Sequence, residues 1–527
     1  MSTALADVRT LADLIAERAS LGDKVLARIR GHDLSYGTAD RRSSRWAAGF
    51  RQLGIGRADV VAQFGYNSVE HVLSWFACAK TGAIWAPLNA SLQSGDLAYS
   101  LREVGPKIIL VDDELLPVFL RMLQDRGDEF ADLRVFLVAS TLSDRSAAPY
   151  PSSDTLDTLS DQEWDRNAAI TAESPACITF TGGSTGLPKG ALVPHGYLLA
   201  AARRYAAVTG GTPSDVHYGP GHLFHVGGQQ NGLLGPMYCG MRTHFNRWFS
   251  ASSFWTDAAA AGATITNTGV AISSILLQRP PSEAERAHSF RLGIGTLGSW
   301  DNPEKWAQFE ERFGFPVLQA YGQTETGVLI SSETPDDRRP GSCGRAEGIN
   351  GVEIKIVDPQ GSFCADGDEG EIVVRPAEPA SFMLGYYGHP DVTAERWRGL
   401  WHHTGDLGRI SEGYLIYLGR MGHFIRRAGE NVSVDEIERL LTGHPLVEDA
   451  AITAVTSSLG DEEIRAWLAL KPGAALSADE LRAWCADRVA YFKVPKYVEF
   501  IPEIPRTLTK REVERFRLVP TERTATP

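Results

Sequence analysis

Between Thr179 and Gly190 the chain reads Thr-Phe-Thr-Gly-Gly-Ser-Thr-Gly-Leu-Pro-Lys-Gly. Glycines, hydroxyls and one lysine are the materials of a phosphate-binding loop. Gly182, Gly183 and Gly186 let the backbone approach a ligand and adopt positive φ. Successive N–H groups and the hydroxyls of Thr181, Ser184 and Thr185 can cradle a polyphosphate, and Lys189 supplies a point charge. This is not a Walker loop, which needs Gly-Lys-Ser/Thr together at a helix start. Leu187 and Pro188 separate Gly186 from Lys189, and proline lacks the N–H a helix interior uses. A plain Ser/Gly-rich turn would have the same composition.

Two further stretches carry chemistry. Gln319-Ala-Tyr-Gly-Gln-Thr-Glu-Thr-Gly327 places an aromatic, a glycine, a hydroxyl and a carboxylate close together. Tyr321 can stack on a base, Gly322 allows close approach, Thr324 can hydrogen-bond a phosphate, and Glu325 can hold Mg²⁺, which prefers oxygen ligands. A buried tyrosine beside a solvated glutamate is the plainer reading. In Trp401-His-His-Thr-Gly-Asp406, an aspartate after a tight turn suits the two ribose hydroxyls, although aspartates also simply close β-turns.

The elements that must position these residues follow from length and pattern. With 527 residues the chain is too long for one core. A net charge of −13 argues against a non-specific nucleic-acid binder. The six cysteines are scattered, without metal-ligand spacing. No signal peptide and no membrane span are read, so the expectation is cytoplasmic. Helix, hairpin and helix patterns over residues 10–50, then "ADVVAQFG", "SVEHVLSWFACAKTG" and "KIILVDD", alternate as in a parallel α/β sheet. Residues 140–165 read as a polar surface segment. From about Gly351, "VEIKIVD", "EGEIVVR" and "GYLIYLG" suggest a small antiparallel β unit. Beyond Arg420 the pattern is helix, strand, strand, helix, a compact α+β domain. The expected fold is therefore α/β. Residues 1–420 form a large N-terminal domain of parallel α/β sheets plus a small β unit, and residues 421–527 form a small mobile α+β C-terminal domain.

The ordered set "TFTGGSTGLPKG", "QAYGQTETG", "GSCGR", "HHTGDLG", "GYLIYLGR" and "RRAGENVSVDEIERLL" resembles the ANL superfamily of adenylate-forming enzymes, specifically its acyl- and aryl-CoA ligases. The likeness runs from roughly residue 10 to residue 517. It implies a two-step reaction: a carboxylate attacks the α-phosphate of Mg·ATP to give acyl-AMP and pyrophosphate, then CoA displaces AMP. By motif match, the loop with Lys189 holds the β- and γ-phosphates, Thr324 meets the α-phosphate, Glu325 the Mg²⁺ and Tyr321 the adenine. Asp406 and Arg420 bind the ribose. His225, in "HLFHVGG", matches a gate residue near the acid's carboxylate. Arg427, Gly429 and Glu430, in "RRAGEN", match the segment lining the pantetheine tunnel. The resemblance also implies a hinge, here near Gly422, between two domain orientations, and many relatives dimerise, so a homodimer is possible.

The chain departs from the family at its end. The usual catalytic lysine follows Pro-Arg-Thr-x-x-Gly; here the sequence is Pro505-Arg-Thr-Leu-Thr-Lys-Arg-Glu512. With a one-residue deletion Lys510 takes that place; without a gap Arg511 does. Lys510 is preferred, because a compact ammonium fits a crowded oxygen cluster better than a guanidinium fork. The acid pocket is expected from the segments around His225, a strand over 264–271, and Gly298–Trp300. Gly227, Gly228 and Gly269 leave room, Gly298 lies in the same pocket, and Trp300 supplies a flat wall. No lysine or arginine awaits a second charge, so an apolar acid, aromatic or medium-chain, is expected. Loading of a separate carrier protein, or a non-catalytic nucleotide-binding relative, are the alternative readings.

Overall fold

The computed structural model describes residues 5, 7–138, 149–159, 169–181, 188–295, 303–421, 424–427, 430–456, 462–486, 488–489, 493–507 and 513–519. Among these, contacts divide the chain into two compact units. The first takes in residues up to Tyr417 except 405–408; the second takes in 405–408 and the chain from Leu418 onward.

In the first unit the apolar runs become parallel strands. Val60–Phe64, Ile84–Leu88 and Ile108–Asp112 are buried at every position, as strands covered on both faces must be. They belong to a seven-stranded sheet. Its parallel strands lie in the order Pro175–Thr181, Ile84–Leu88, Val60–Phe64, Ile108–Asp112, Arg134–Val138. Lys189–Pro194 and Gly385–Tyr386 extend it antiparallel at one edge. The helix Val69–Thr81 packs against it, opened by a Ser68 side-chain cap and closed by Gly82 at φ 79°. Inside that helix Lys80 is fully buried yet paired, its ammonium 2.7 Å from both Asp40 and Ser44.

A second sheet has eight strands. Five of its six inner strands, all parallel and numbered by sequence as Val216–Gly219, Arg242–Phe245, Ile265–Thr268, Leu292–Gly295 and Val317–Gln323, lie in the order 2-1-3-4-5, and Val25–Ile29 continues the parallel run beside Arg242–Phe245. In such a doubly wound sheet the winding reverses between the first and third strands, here 216–219 and 265–268. The crevice outside their carboxyl ends is where ligands settle. The small antiparallel sheet expected after Gly351 is present: Glu353–Val357, Glu369–Arg375 and Trp397–Arg398, with Trp401–Ser411 and Tyr414–Arg420.

The second unit has the hairpin Phe424–Arg427/Glu430–Ser433, the helix Val434–Thr442, the antiparallel pair Val447–Thr456/Glu462–Leu470 and the helix Ala478–Ala486. Ile437, Leu441, Ile452, Ile464, Leu468 and Leu481 form its core. Tyr497–Phe500 adds a third strand, parallel to 462–470, that the sequence reading missed. The protein is thus α/β with a large N-terminal domain of parallel sheets and a smaller C-terminal one. No helix among the described residues is long and apolar enough to cross a membrane.

Two local expectations need correction. The strand over 264–271 stops at Thr268, Gly269 is the N-cap, and a helix runs from Val270 to Gln278. Within the polar segment 140–165, Ser153–Asp157 forms a tight helical turn. There Leu156 is fully buried and Asp157 pairs with Arg42 at 2.6 Å, so this part is anchored rather than a loose surface.

Candidate active site

The phosphate-binding motif lies on a β-hairpin. Thr181 ends one strand and Lys189 begins the next; the two are paired in register, and the Thr181 hydroxyl donates to the Lys189 carbonyl at 3.2 Å. Gly182, Gly183, Ser184, Thr185 and Gly186 lie outside the described residues. Lys189 is half-buried, and its ammonium has no hydrogen bond or ion pair among the described residues. At Gly190 a Cβ would stand 2.4 Å from Ile178 Cγ2, so glycine is required for the two strands to pack.

The second motif is also a hairpin, with its turn over 324–326, joining Val317–Gln323 to Gly327–Ser332. A Cβ on Gly322 would stand 2.0 Å from the Gly327 carbonyl oxygen, so the glycine serves the close approach of the two strands themselves. Tyr321 is buried, its ring centroid 5.9 Å from that of Tyr417. Buried side chains on the helix His195–Thr209 set the turn's position. Tyr197 donates its hydroxyl to the Thr324 carbonyl (2.7 Å) and accepts from Gln230 Nε2 (2.7 Å). Gln230 Oε1 accepts from the Val328 N–H at 3.0 Å. Arg204 donates to the Thr326 carbonyl at 2.9 Å. Burial pulls the Arg204 guanidinium down to about 10 and pushes the Tyr197 phenol up. With its backbone held this way, the turn presents two unused groups. The Thr324 hydroxyl has no hydrogen-bond partner among the described residues. Glu325, 8 % exposed, accepts at Oε1 from the Tyr386 hydroxyl (2.7 Å), and its Oε2 has no partner among them.

Tyr386 links the two hairpins. It lies in the short strand that pairs with Leu192 and Ala191 of the Lys189–Pro194 strand, and it reaches Glu325 from there. A third segment joins through Gln229, whose Oε1 accepts from the Thr179 hydroxyl (3.3 Å) and whose Nε2 donates to the Leu223 carbonyl (3.0 Å). His225 is exposed in the turn before Gly228–Leu234, a stretch wound as a π-helix, a geometry frequent at functional sites. A Cβ on Gly228 would stand 2.1 Å from the His222 carbonyl oxygen, so the room expected there is filled by backbone. Among the described residues nothing lies within 4 Å of the Gly269 Cβ position. Gly298 and Trp300 lie outside the described residues.

Asp406 does not follow a turn. Trp401–Ser411 is one continuous strand, kinked at Gly405 (φ 70°), and Asp406 lies on its buried side at 3 % exposure. Arg420 ends the next strand, its side chain outside the description. In the second unit Arg427 is engaged: its Nε pairs with Glu463 at 2.7 Å and its Nη1 donates to the Val494 carbonyl at 2.5 Å. Gly422, Gly429 and the Glu430 side chain lie outside the described residues, as do Lys510 and Arg511. The chain on either side of these last two is held. Arg506 forks onto Asp449 at 2.8 and 2.7 Å and bridges to Val513.

Sequence reasoning missed Tyr197, Arg204, Gln229, Gln230 and Tyr386. A signal existed for two of them. Tyr197 and Arg204 are seven residues apart on one helix, hence on one face, in a leucine- and alanine-rich stretch that could not bury them without partners.

A hairpin lysine on one α/β sheet, and on the other a hydroxyl and a carboxylate oxygen without partners among the described residues, are groups that can handle a nucleotide. Residues 16–387 match the family model of the AMP-binding enzyme, and residues 436–511 match that of the AMP-binding enzyme C-terminal domain. Crotonobetaine/carnitine–CoA ligase of Salmonella enteritidis PT4 is 30% identical over 494 residues, covering 91% of this chain and 92% of its own. Among solved structures, ATP-bound MatB from Rhodopseudomonas palustris has a TM-score of 0.80 at 25% identity, covering 96% of this chain and 97% of its own. The anthranilate CoA ligase AuaEII with anthranoyl-AMP has a TM-score of 0.82 and covers 98% of each chain; at 22% identity the likeness is one of fold. The chain belongs to the AMP-binding enzymes, the ANL adenylate-forming acyl- and aryl-CoA ligase family, and is an acid–thiol ligase of the AMP-forming type.

Proposed function

We propose that this protein is an ATP-dependent carboxylic acid–CoA ligase that forms acyl-AMP and pyrophosphate, then acyl-CoA and AMP. A carboxylate oxygen is a poor leaving group, and adenylation replaces it with AMP. Most of the catalysis is positioning and charge neutralisation around phosphate. The observation that carries the reading is the turn at Thr324–Glu325, whose hydroxyl and one carboxylate oxygen have no partner among the described residues and which is tied through Tyr386 to the strand bearing Lys189.

In this reading Thr181, the glycine-rich loop (Gly182–Gly186) and Lys189 hold the β- and γ-phosphates, and Thr324 meets the α-phosphate. Glu325 holds Mg²⁺, which would neutralise phosphate charge as the bond to pyrophosphate breaks. Tyr321 and Gly322 meet adenine, Asp406 and Arg420 the ribose, and His225 lies near the acid's carboxylate. Arg427, Gly429 and Glu430 serve CoA, and Lys510 bridges acid and ATP in the first step. We place the domain boundary at 420/421 with the hinge near Gly422. Dependence on ATP and CoA suits the cytoplasm. The relatives' names span crotonobetaine, carnitine and anthranilate, so family membership leaves the acid open. The segments 221–234 and 264–271 carry no lysine or arginine, which supports an acid that is mainly apolar, aromatic or medium-chain, without a second negative charge.

The test is mass spectrometry of the protein with ATP, Mg²⁺ and mixed aromatic and aliphatic acids, with and without CoA. A CoA-dependent acyl-CoA peak accompanied by AMP is expected. Acyl-AMP that accumulates despite CoA would point instead to a carrier-protein thiol. ATP binding without AMP from any acid would point to a non-catalytic relative.

A further inference from the structure

Where the winding of the eight-stranded sheet reverses, a hydrogen-bond chain crosses between the two bounding strands. The Tyr205 hydroxyl is 3.0 Å from His217 Nδ1, and His217 Nε2 is 2.9 Å from Asn267 Oδ1. His217 is on the strand 216–219 and Asn267 on the strand 265–268. Tyr205 and His217 are completely buried.

The polarity of this chain follows from its ends. The Tyr205 hydroxyl has no other hydrogen-bond partner among the described residues, and a buried phenol must donate its hydrogen somewhere. It therefore donates to Nδ1. Burial holds the imidazole neutral, at about 4, so a ring accepting at Nδ1 carries its one hydrogen at Nε2. Nε2 donates to Asn267, which fixes the amide with its carbonyl toward the histidine and its NH₂ turned away. The Asn267 NH₂ has no hydrogen-bond partner among the described residues, and Asn267 is only half-buried.

That NH₂ group lies beside a glycine. Asn267 Nδ2 is 3.8 Å from the position of a Cβ on Gly221, in the segment leading to His225. Two residues on from Asn267, no atom of the described residues lies within 4 Å of the Cβ position of Gly269. A donor held in one orientation beside Gly221, at the carboxyl ends of the strands where a doubly wound sheet binds ligands, has the geometry of a reader of one acceptor atom.

We infer that Asn267 is a specificity-determining residue whose amide N–H binds an uncharged acceptor oxygen (carbonyl, ether or hydroxyl) on the body of the acid substrate, and that Tyr205 and His217 are positioning residues that set which way the amide faces. This rests on the ligase reading above and narrows its substrate class to a largely apolar acid bearing one such oxygen.

The test uses the full chain and matched acid pairs, aromatic and medium-chain, one member carrying a ketone, ether or hydroxyl oxygen and the other a methylene or hydrogen in its place. The readout is the ratio of kcat/KM within each pair, followed by AMP release with ATP and CoA. For at least one position of the oxygen, the wild-type protein is expected to favour the oxygen-bearing acid by about 10-fold or more. Asn267→Leu brings that ratio to within about twofold. Tyr205→Phe, which removes only the hydroxyl that sets the histidine tautomer, gives an intermediate ratio; a merely structural role would lower both members of the pair equally. Turnover of both members with ratios near one for every pair overturns the inference and leaves the ligase standing, as does an unchanged ratio in Asn267→Leu. No AMP from any acid overturns the ligase reading, and this inference with it.

Discussion

Glu325 divides its carboxylate between two tasks. Oε1 accepts from the Tyr386 hydroxyl, and Oε2, without a partner among the described residues, is the oxygen that the proposed function gives to Mg²⁺. A hydrogen bond to an ionised group is worth about 1.5–3 kcal/mol, and residues that orient a metal ligand typically affect metal affinity 10- to 100-fold. In Tyr386→Phe the Mg²⁺ concentration for half-maximal adenylation is therefore expected to rise about 10-fold, measured as pyrophosphate release against Mg²⁺. A lower rate with unchanged Mg²⁺ dependence would reduce Tyr386 to packing. At the chain's other end the choice between Lys510 and Arg511 can be resolved by half-reaction. Lys510→Ala is expected to cripple acyl-AMP formation by about 100-fold or more, as loss of a transition-state charge contact does, and to spare thioester formation from supplied acyl-AMP. If only Arg511→Ala produced that split, the ungapped alignment would be right. Equal loss in both half-reactions would remove Lys510 from the adenylation step.

At the scale of elements, the two glycines at positions 322 and 269 make opposite predictions. Alanine at 322 would place a methyl 2.0 Å from the Gly327 carbonyl oxygen, with backbone on the far side that cannot rotate away. Gly322→Ala is expected to cost about 1–3 kcal/mol in urea unfolding. Because it displaces the turn carrying Thr324 and Glu325, it should also lower AMP formation about 100-fold. Gly269→Ala meets no atom of the described residues within 4 Å and should leave stability within about 0.5 kcal/mol. Similar losses in the two variants would contradict this packing of the hairpin. The elements also show what sequence can disclose. Val60–Phe64 and Ile108–Asp112 are legible because a mostly apolar run between turns, Val-Val-Ala-Gln-Phe or Ile-Ile-Leu-Val-Asp, fits a doubly covered strand. The strand over 264–271 was read too long because Thr-Asn-Thr-Gly looks extended, while Gly269 in fact starts a helix. Asp406 was read after a turn because Thr-Gly-Asp is turn-like in composition; pairing across the sheet keeps that stretch in a strand. The spacing of Tyr197 and Arg204 on one helix face marks them as needing buried partners, but not which ones, since those partners lie on a hairpin more than 120 residues away. The motif residues are proposed from chemistry that is local in the sequence, whereas the groups that hold their backbone are set by tertiary contacts.

For the molecule as a whole, stability against acid depends on groups that burial drives in opposite directions. His71 and Asp112 meet at one corner of the seven-stranded sheet, where a Cβ on Gly65 would stand 3.4 Å from His71 Cε1 and 3.2 Å from Asp112 Cβ. Burial disfavours the charged form of each. It lowers His71 to about 3, helped by the nearby His222, and raises Asp112 to about 6 against the pull of the Glu114 N–H and Arg30. An unfolded histidine titrates near 6.5 and an unfolded aspartate near 3.9. Between about pH 6.5 and pH 3, then, the unfolded chain holds a proton at residue 71 that the folded chain lacks, and stability falls on acidification by about 1.4 kcal/mol per pH unit. Between about pH 6 and pH 4 the folded chain holds a proton at Asp112 that the unfolded chain lacks, and acidification stabilises by a similar slope. The two effects cancel in the wild type over that shared window. Removing either one should reveal the other. In urea unfolding from pH 6 to pH 4.5, His71→Leu is expected to lose less stability on acidification than the wild type, and Asp112→Asn more, each by about 1 kcal/mol per pH unit. If both variants shifted the slope in the same direction, or neither shifted it, the neutral state assigned to this buried corner would be wrong.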